Sequence, residues 1–180
     1  MKYIKRRILK FESKSQKTLK KRKTLKKGGQ SPGLEVRYPS GIVRGQTFTK
    51  EQTKDAPEVF FKEEKGKLYT ILMWDPDAPA KPSWVHWIVT NLETPGQIHK
   101  NTVLSYQGPN PPSGVHRYYF GLFEQLQGKI SPMISGVALF KTDTTTSTML
   151  SRVRGGFDYE EFIRENSLNK VGEVYFKVSI

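Results

Sequence analysis

Short segments in which apolar and polar residues alternate recur along most of the chain. Residues 34–38 and 172–180 alternate with the two-residue period of half-buried strands, whereas residues 67–74 are largely apolar, as in a strand buried on both faces. Turns rich in glycine and proline, such as Pro39-Ser40-Gly41, separate these segments. The pattern predicts strands over residues 34–38, 59–61, 67–74, 84–91, 115–122, 135–140 and 172–180.

One segment late in the chain has the features of a helix. Asp158 is placed to cap its first turn, and Phe157, Phe162 and Ile163 supply apolar contacts, so we predict a helix over residues 158–166. Many short strands with a single late helix are typical of a mostly β fold, either a sandwich or a barrel.

The positive charge of the chain is concentrated at its beginning. The net charge of the whole chain is +13, but residues 1–30 hold 13 Lys and Arg against the single acid Glu12. Residues 31–180 hold 17 basic and 16 acidic side chains and are close to neutral. Because like charges at this density repel, we expect residues 1–30 to be a disordered basic tail on one domain, residues 31–180.

The basic tail suggests contacts rather than catalysis. Ile4, Ile8 and Phe11 are spaced to form one short amphipathic face on an anionic membrane, but a solvated tail is the interpretation we favour. The cluster Lys20-Lys21-Arg22-Lys23 resembles a nuclear import signal and would also suit nucleic acid or an import receptor.

The composition excludes several classes of protein. The chain has no cysteine, which excludes disulfides, cysteine-bound zinc and a thiol nucleophile. No apolar run is long enough to cross a bilayer, and the first ten residues are too charged for a signal peptide. We therefore expect a cytoplasmic protein, with a nuclear location open through the tail, that is neither secreted nor transmembrane.

Two proline-stiffened segments carry the residues best suited to chemistry. Asp75-Pro76-Asp77-Ala78-Pro79 follows the predicted strand 67–74, and two residues spaced two apart in extended chain lie on the same side. The second segment, residues 108–114, contains three prolines and two glycines and leads into His116 and Tyr118. Loops of this kind are rigid, yet their glycines let a ligand approach the backbone, so we predict a preformed polar pocket.

The order and spacing of these motifs resemble the signature regions of the phosphatidylethanolamine-binding protein family, which includes the Raf kinase inhibitor protein and the plant flowering regulators. The first region is Asp75 to Pro79 followed by His86-Trp87-Ile88-Val89-Thr90-Asn91. The second is Tyr106-Gln107-Gly108-Pro109 followed by Gly114-Val115-His116-Arg117-Tyr118. The resemblance extends over roughly residues 34–180.

The resemblance implies a fold and a site. The fold would be a large antiparallel sheet packed on a smaller sheet, with one or two short helices, and a pocket between the signature loops for phosphate-bearing head groups. The positions that match the family's pocket are Asp75, Asp77, Pro79, Trp84, His86, Gly108, Pro111, Pro112, His116 and Tyr118.

The residue types suit a phosphate, with one difficulty. Imidazole N–H groups, the Tyr118 hydroxyl and loop backbone N–H groups can donate to phosphate oxygens, but two carboxylates should repel the anion. A protonated carboxylate, a histidine made cationic by Asp75 or Asp77, or an ammonium on the ligand would each remove the conflict. The residues alone leave these three possibilities open.

We interpret the chain as a monomeric, non-enzymatic regulatory protein that needs no cofactor and no metal. Its pocket would take a phosphorylated small ligand or phospholipid head group, and its surface would contact a kinase or protease partner. The alternative is a metal-dependent hydrolase that uses Asp75, Asp77, His86 and His116, since carboxylates and imidazoles suit divalent ions. Neither a compact metal-binding motif nor a Gly-x-Ser-x-Gly elbow is present in the sequence.

Overall fold

The computed structural model describes residues 33–134, 137–138 and 153–180. The basic tail 1–30 and most of the predicted strand 135–140 lie outside the described residues. The described strands, in chain order, are β1 Leu34–Tyr38, β2 Gly41–Ile42, β3 Thr47–Phe48, β4 Glu58–Phe61, β5 Tyr69–Asp75, β6 Trp84–Leu92, β7 Thr102–Leu104, β8 Val115–Gln125, β9 Met133–Ile134, β10 Val137–Ala138 and β11 Leu168–Ser179. An α-helix, α1, spans Tyr159–Glu165, residues 153–154 are also helical, and short 3-10 turns occupy Glu51–Thr53 and Pro95–Gln97.

These strands form one large and one small sheet, as predicted. The large sheet has six strands in the order β3-β11-β8-β5-β6-β7, and the small sheet has three in the order β2-β1-β4. All pairs in the large sheet are antiparallel except β3 and β11, which are parallel. Strands β9 and β10 form a separate antiparallel pair. The mostly β, two-sheet architecture is therefore confirmed, with one parallel pair at the edge of the large sheet.

The central strand β5 is buried on both faces. All seven of its residues are buried, as expected for a strand in the middle of a sheet that is covered on both sides. One face of the large sheet packs on the small sheet, where Phe48 and Phe176 of the large sheet meet Tyr38 of the small sheet edge to face at 5.5–5.6 Å. The other face packs on Phe162, which lies in α1, and on Phe157, which immediately precedes the N-cap of that helix.

Helix α1 begins at the predicted cap. The side chain of Asp158 accepts a hydrogen bond of 3.0 Å from the backbone N–H of Glu161, so one of the free N–H groups of the first turn is satisfied. The helix covers the sheet through Phe162, whose ring lies 5.4 Å from that of Phe157. No helix in the described part of the chain is long and apolar enough to cross a membrane.

The strand register brings the predicted site residues together at one end of the central strands of the large sheet. Strand β5 ends at Asp75, which lies opposite Trp84 at the start of β6. Strand β8 begins beside the same end of β5, and its second residue, His116, pairs with Val178 of β11. Three strand ends therefore meet where the two proline-stiffened segments enter and leave the sheet.

Candidate anion-binding site

The centre of the site is a buried pair between a carboxylate and an imidazole. Nδ1 of His116 lies 2.8 Å from Oδ2 of Asp75, and the two residues are 6% and 3% exposed. Because a carboxylate accepts hydrogen bonds, His116 donates through Nδ1, and its second ring nitrogen, Nε2, is left for other contacts. A bond of this kind fixes the orientation of the ring, as in the carboxylate–histidine pairs of many functional sites.

His86 is held in a similar way, by a backbone carbonyl. Its Nδ1 donates to the carbonyl oxygen of Gln107 over 2.7 Å, and the backbone N–H of Gln107 donates back to the carbonyl of His86 at 3.0 Å. Burial lowers the pKa of His86 to about 4, the bond to Gln107 opposes this shift, and the nearby positive charge of Arg154 adds to it. His86 is therefore neutral at pH 7, and its Nε2 is a hydrogen-bond acceptor.

Tyr118 lies next to both imidazoles. Its ring centroid is 5.2 Å from that of His86, at a nearly perpendicular angle, and 6.5 Å from that of His116, nearly parallel. Burial, together with the carboxylate of Asp75, raises the pKa of Tyr118 well above its usual range, so the hydroxyl keeps its proton. We call Asp75, His86, His116 and Tyr118 the polar cluster.

Asp77 faces a different partner, and the expectation that both carboxylates share one side is wrong. The extended chain ends at Asp75, because a turn begins at Pro76 and the backbone N–H of Asp77 donates to Oδ1 of Asp75 at 2.8 Å. The carboxylate of Asp77 then accepts three hydrogen bonds of 2.7–2.8 Å from the guanidinium and backbone N–H of Arg117. Arg117 lowers the pKa of Asp77, which is half-buried at the surface.

Gln107, the residue just before the second segment, joins two of the predicted site residues. Its side-chain oxygen accepts a bond of 3.0 Å from the indole N–H of the half-buried Trp84, so Gln107 contacts both Trp84 and His86. Pro111 is buried, whereas Pro79 and Pro112 are exposed.

The expected reason for a glycine at position 108 is also wrong. A Cβ at Gly108 would lie 3.0 Å from backbone atoms of Thr53 and Lys54, so the space beside it is filled by the first 3-10 turn rather than kept for a ligand. Gly114 does adopt the left-handed conformation that favours glycine, with φ of 65°.

Sequence reasoning missed Arg154. Its side chain is 4% exposed, and its guanidinium donates to the carbonyl oxygens of Val85, His86 and Ser105. It follows His86 by 68 positions and belongs to no motif that the sequence displays, so only the three-dimensional arrangement places it beside the polar cluster.

The residues of the alternative interpretation do not form a metal site. Among the described residues, no three His, Asp or Glu side chains come together in a way that could hold an ion. Asp77 is engaged by Arg117, and Nδ1 of His86 by Gln107. The arrangement instead offers two oriented imidazoles, one phenol and one carboxylate at the ends of three central strands. Such a set is suited to binding a small polar group.

Comparison with known proteins supports the family resemblance. Residues 39–176 match the family model described as phosphatidylethanolamine-binding protein. Protein FLOWERING LOCUS T of Arabidopsis thaliana is 33% identical over 101 residues, which is 52% of this chain and 58% of that protein. Protein TWIN SISTER of FT, from the same plant, is 42% identical over 65 residues, 33% of this chain and 37% of that protein. The chain thus matches only part of the length of these relatives.

Two solved structures share the fold. The carboxypeptidase Y inhibitor, in complex with its cognate proteinase, superposes with a TM-score of 0.61 at 24% identity, covering 84% of this chain and 85% of the inhibitor. The phosphatidylethanolamine-binding protein from Plasmodium vivax gives a TM-score of 0.62 at 24% identity, covering 81% and 84%. The family model spans well over half of the chain and the two-sheet fold agrees with it, so this protein belongs to the phosphatidylethanolamine-binding protein family.

Proposed function

We propose that the polar cluster binds a phosphate-bearing ligand, such as phosphoethanolamine or a phospholipid head group, and that the protein acts by binding rather than by catalysis. The observation that carries the proposal is that Asp75, His86, His116 and Tyr118 come together at one end of the central strands. Both imidazoles are oriented there through Nδ1. Oriented donors and acceptors around a small volume are what a specific polar ligand requires.

The partners of the two carboxylates reduce the expected repulsion of an anion. Arg117 balances the charge of Asp77, and Asp75 accepts from His116 within the cluster. The neutral His86 accepts through Nε2, so a phosphate oxygen meets this atom only through a proton, carried by the phosphate or taken up by the ring. Tyr118 adds a hydroxyl donor. Phosphate binding should therefore be coupled to proton uptake.

Among the residues that the structure describes, the serine beside the cluster is not activated as a nucleophile, which favours binding over hydrolysis. Ser83, which precedes Trp84, is buried, and its hydroxyl donates to the carbonyl oxygen of Phe157 rather than to a base. The metal-dependent alternative would need a ligand set that the described residues do not provide.

A protein partner is the second part of the proposal. One structural relative is an inhibitor seen in complex with its cognate proteinase, so the fold is compatible with a role that operates through protein contacts. We infer that this chain regulates a kinase or protease partner through the surface around the polar cluster. Occupation of the cluster by phosphate would alter that surface.

A ligand titration followed by NMR tests the binding site. Phosphoethanolamine should shift the imidazole signals of His86 and His116, and ethanolamine, which lacks the phosphate, should not. His99, which is exposed and lines a separate groove of about 600 Å³, serves as the internal control. Signals from His86 and His116 that stay in place at millimolar phosphoethanolamine would contradict the proposal.

A further inference from the structure

Arg154 is a buried cation whose described partners are all neutral. One guanidinium nitrogen, Nη1, donates to the carbonyl oxygens of Val85 at 3.1 Å and His86 at 2.9 Å. The other, Nη2, donates to the carbonyl oxygen of Ser105 at 2.7 Å and lies 3.4 Å from its hydroxyl. Among the described residues, no carboxylate accepts a bond from it.

A neutral donor would hold these carbonyls at a lower cost in stability. Removing an unpaired charge from water is far more expensive than burying a hydrogen-bonded amide, and the effect of burial is visible as a pKa of Arg154 lowered to about 10. The group is nevertheless charged at neutral pH. A positive charge kept at this position calls for a role that a neutral side chain does not fill.

The contacts of Arg154 surround His86. It binds the backbone of His86 itself, and it binds Ser105, two residues before the Gln107 that holds the imidazole through Nδ1. The guanidinium therefore joins strand β6 to the segment that follows β7 and fixes both attachments of the His86 ring. A shift of either segment would turn Nε2 of His86 away from the other members of the polar cluster.

We propose that Arg154 is a positioning residue of the phosphate site, which orients His86 through the backbone on both sides of the ring and supplies the buried positive charge that favours an anion there. This inference rests on the proposed function for its ligand but not for its effect on His86. The other titratable groups near His86 are His116 and Tyr118, and Asp75 contacts these two residues in turn.

Two substitutions separate charge from position. Arg154→Met removes the charge and all the hydrogen bonds, whereas Arg154→Lys keeps the charge but cannot reach all three carbonyls. Arg164→Gln, on the exposed side of helix α1, is the matched control, since it also removes one positive charge from the chain. The measurements, on the full chain, are the dissociation constant for inorganic phosphate and the NMR titration of His86.

We expect Arg154→Met to weaken phosphate binding on the order of tenfold and to let the pKa of His86 rise from about 4 towards its ordinary value of 6.5. Arg154→Lys should keep the pKa of His86 low and bind phosphate with an intermediate affinity. Arg164→Gln should change neither quantity. If Arg154 acted through packing alone, both variants would change the pKa of His86 in the same direction. A pKa that rises in Arg154→Met and stays low in Arg154→Lys therefore indicates an effect of the charge.

The inference would be overturned if Arg154→Met folds and has the same affinity for phosphate and the same pKa of His86 as the unmodified chain. If Arg154→Met does not fold, Arg154→Lys decides, because unchanged phosphate affinity there would refute a positioning role. If the unmodified chain binds no phosphate, the proposed function fails. The His86 titration in the same variants then still tests the effect of Arg154.

Discussion

Asp75 and Asp77 are two positions apart but lie in different surroundings. Asp75 is almost wholly buried and bonded to His116, whereas Asp77 forms an ion pair with Arg117, which is itself exposed. Removing the hydrogen-bond partner of a buried group lowers the free energy of unfolding far more than removing that of a partly solvated group, because water cannot replace the lost bond. The two acids, which occupy equivalent places in the motif, should therefore contribute unequally to stability and to ligand binding.

Alanine substitutions measure this inequality. Asp75→Ala leaves Nδ1 of His116 without its acceptor and should lower the free energy of unfolding by about 3 kcal/mol, with loss of phosphate binding. Asp77→Ala breaks a surface ion pair with Arg117 and should lower the free energy of unfolding by about 1 kcal/mol. Urea denaturation provides both values. Equal losses for the two variants would show that the carboxylates are not distinguished as described.

The neutral His86 predicts how stability depends on pH. The native pKa is about 4 and the ordinary value is 6.5, so between these values the unfolded chain binds a proton that the native chain does not. Stability from this residue is therefore fully present above pH 6.5 and decreases as the pH falls towards 4, by up to about 3 kcal/mol. His86→Gln should flatten the dependence in urea denaturation series. A slope unchanged by that substitution would exclude His86 as its source.

At the scale of elements, the loop that follows β7 depends on its contact with the first 3-10 turn. Gly108 has no room for a Cβ, because backbone atoms of Thr53 and Lys54 lie 3.0 Å from where it would be. Lys50, which precedes this turn, also donates to the side chain of Asn110 at 2.9 Å. The loop is therefore held against the first 3-10 turn, and Gln107, the residue before Gly108, is positioned for His86 as a result.

Gly108→Ala should displace this loop. The added methyl group meets backbone rather than a flexible side chain, so we expect a loss of about 1–2 kcal/mol in the free energy of unfolding and a change in the His86 NMR signal. Gly96→Ala is the control, because its nearest neighbour would be the Thr94 hydroxyl at 3.8 Å and its φ is not positive. A Gly108→Ala variant as stable as Gly96→Ala, with an unmoved His86 signal, would show that the contact is not restrictive.

The sequence predicts elements well where its pattern is long and poorly where it is short. Alternation identified β1 and the end of β11, and the cap at Asp158 identified α1. Strands β2 and β3 have two residues each and β7 has three, too few for a period to be visible, and they exist only because neighbouring strands pair with them.

The same limit applies to the site. The motifs named all four members of the polar cluster, because proline-stiffened segments at strand ends are visible in the sequence. They did not show that Asp77 turns to Arg117, which depends on where the extended backbone ends. Nor did they indicate Arg154, since its partners are backbone carbonyls 49 to 69 positions away, and backbone acceptors have no sequence signature.

The whole molecule divides its charge between two parts. Residues 31–180 are nearly neutral, and almost all of the net charge of +13 belongs to residues 1–30. Interactions between exposed charges are screened within about 8–10 Å at physiological salt, so the tail and the anion site should act independently. The tail would then set where the protein is found, and the polar cluster what it binds.

Deletion of residues 1–30 tests this division. The full chain should be retained on vesicles that contain anionic lipid, retention should decrease as salt is added, and the shortened chain should not be retained. Phosphoethanolamine should bind both forms with similar affinity. Retention that survives the deletion would assign membrane contact to the folded part instead.

The most direct test of the central claim is a crystal structure of the protein grown with phosphoethanolamine. We predict that the phosphate lies within hydrogen-bond distance of Nε2 of His86, Nε2 of His116 and the hydroxyl of Tyr118. A phosphate bound elsewhere, with the polar cluster closed and unchanged, would contradict the account.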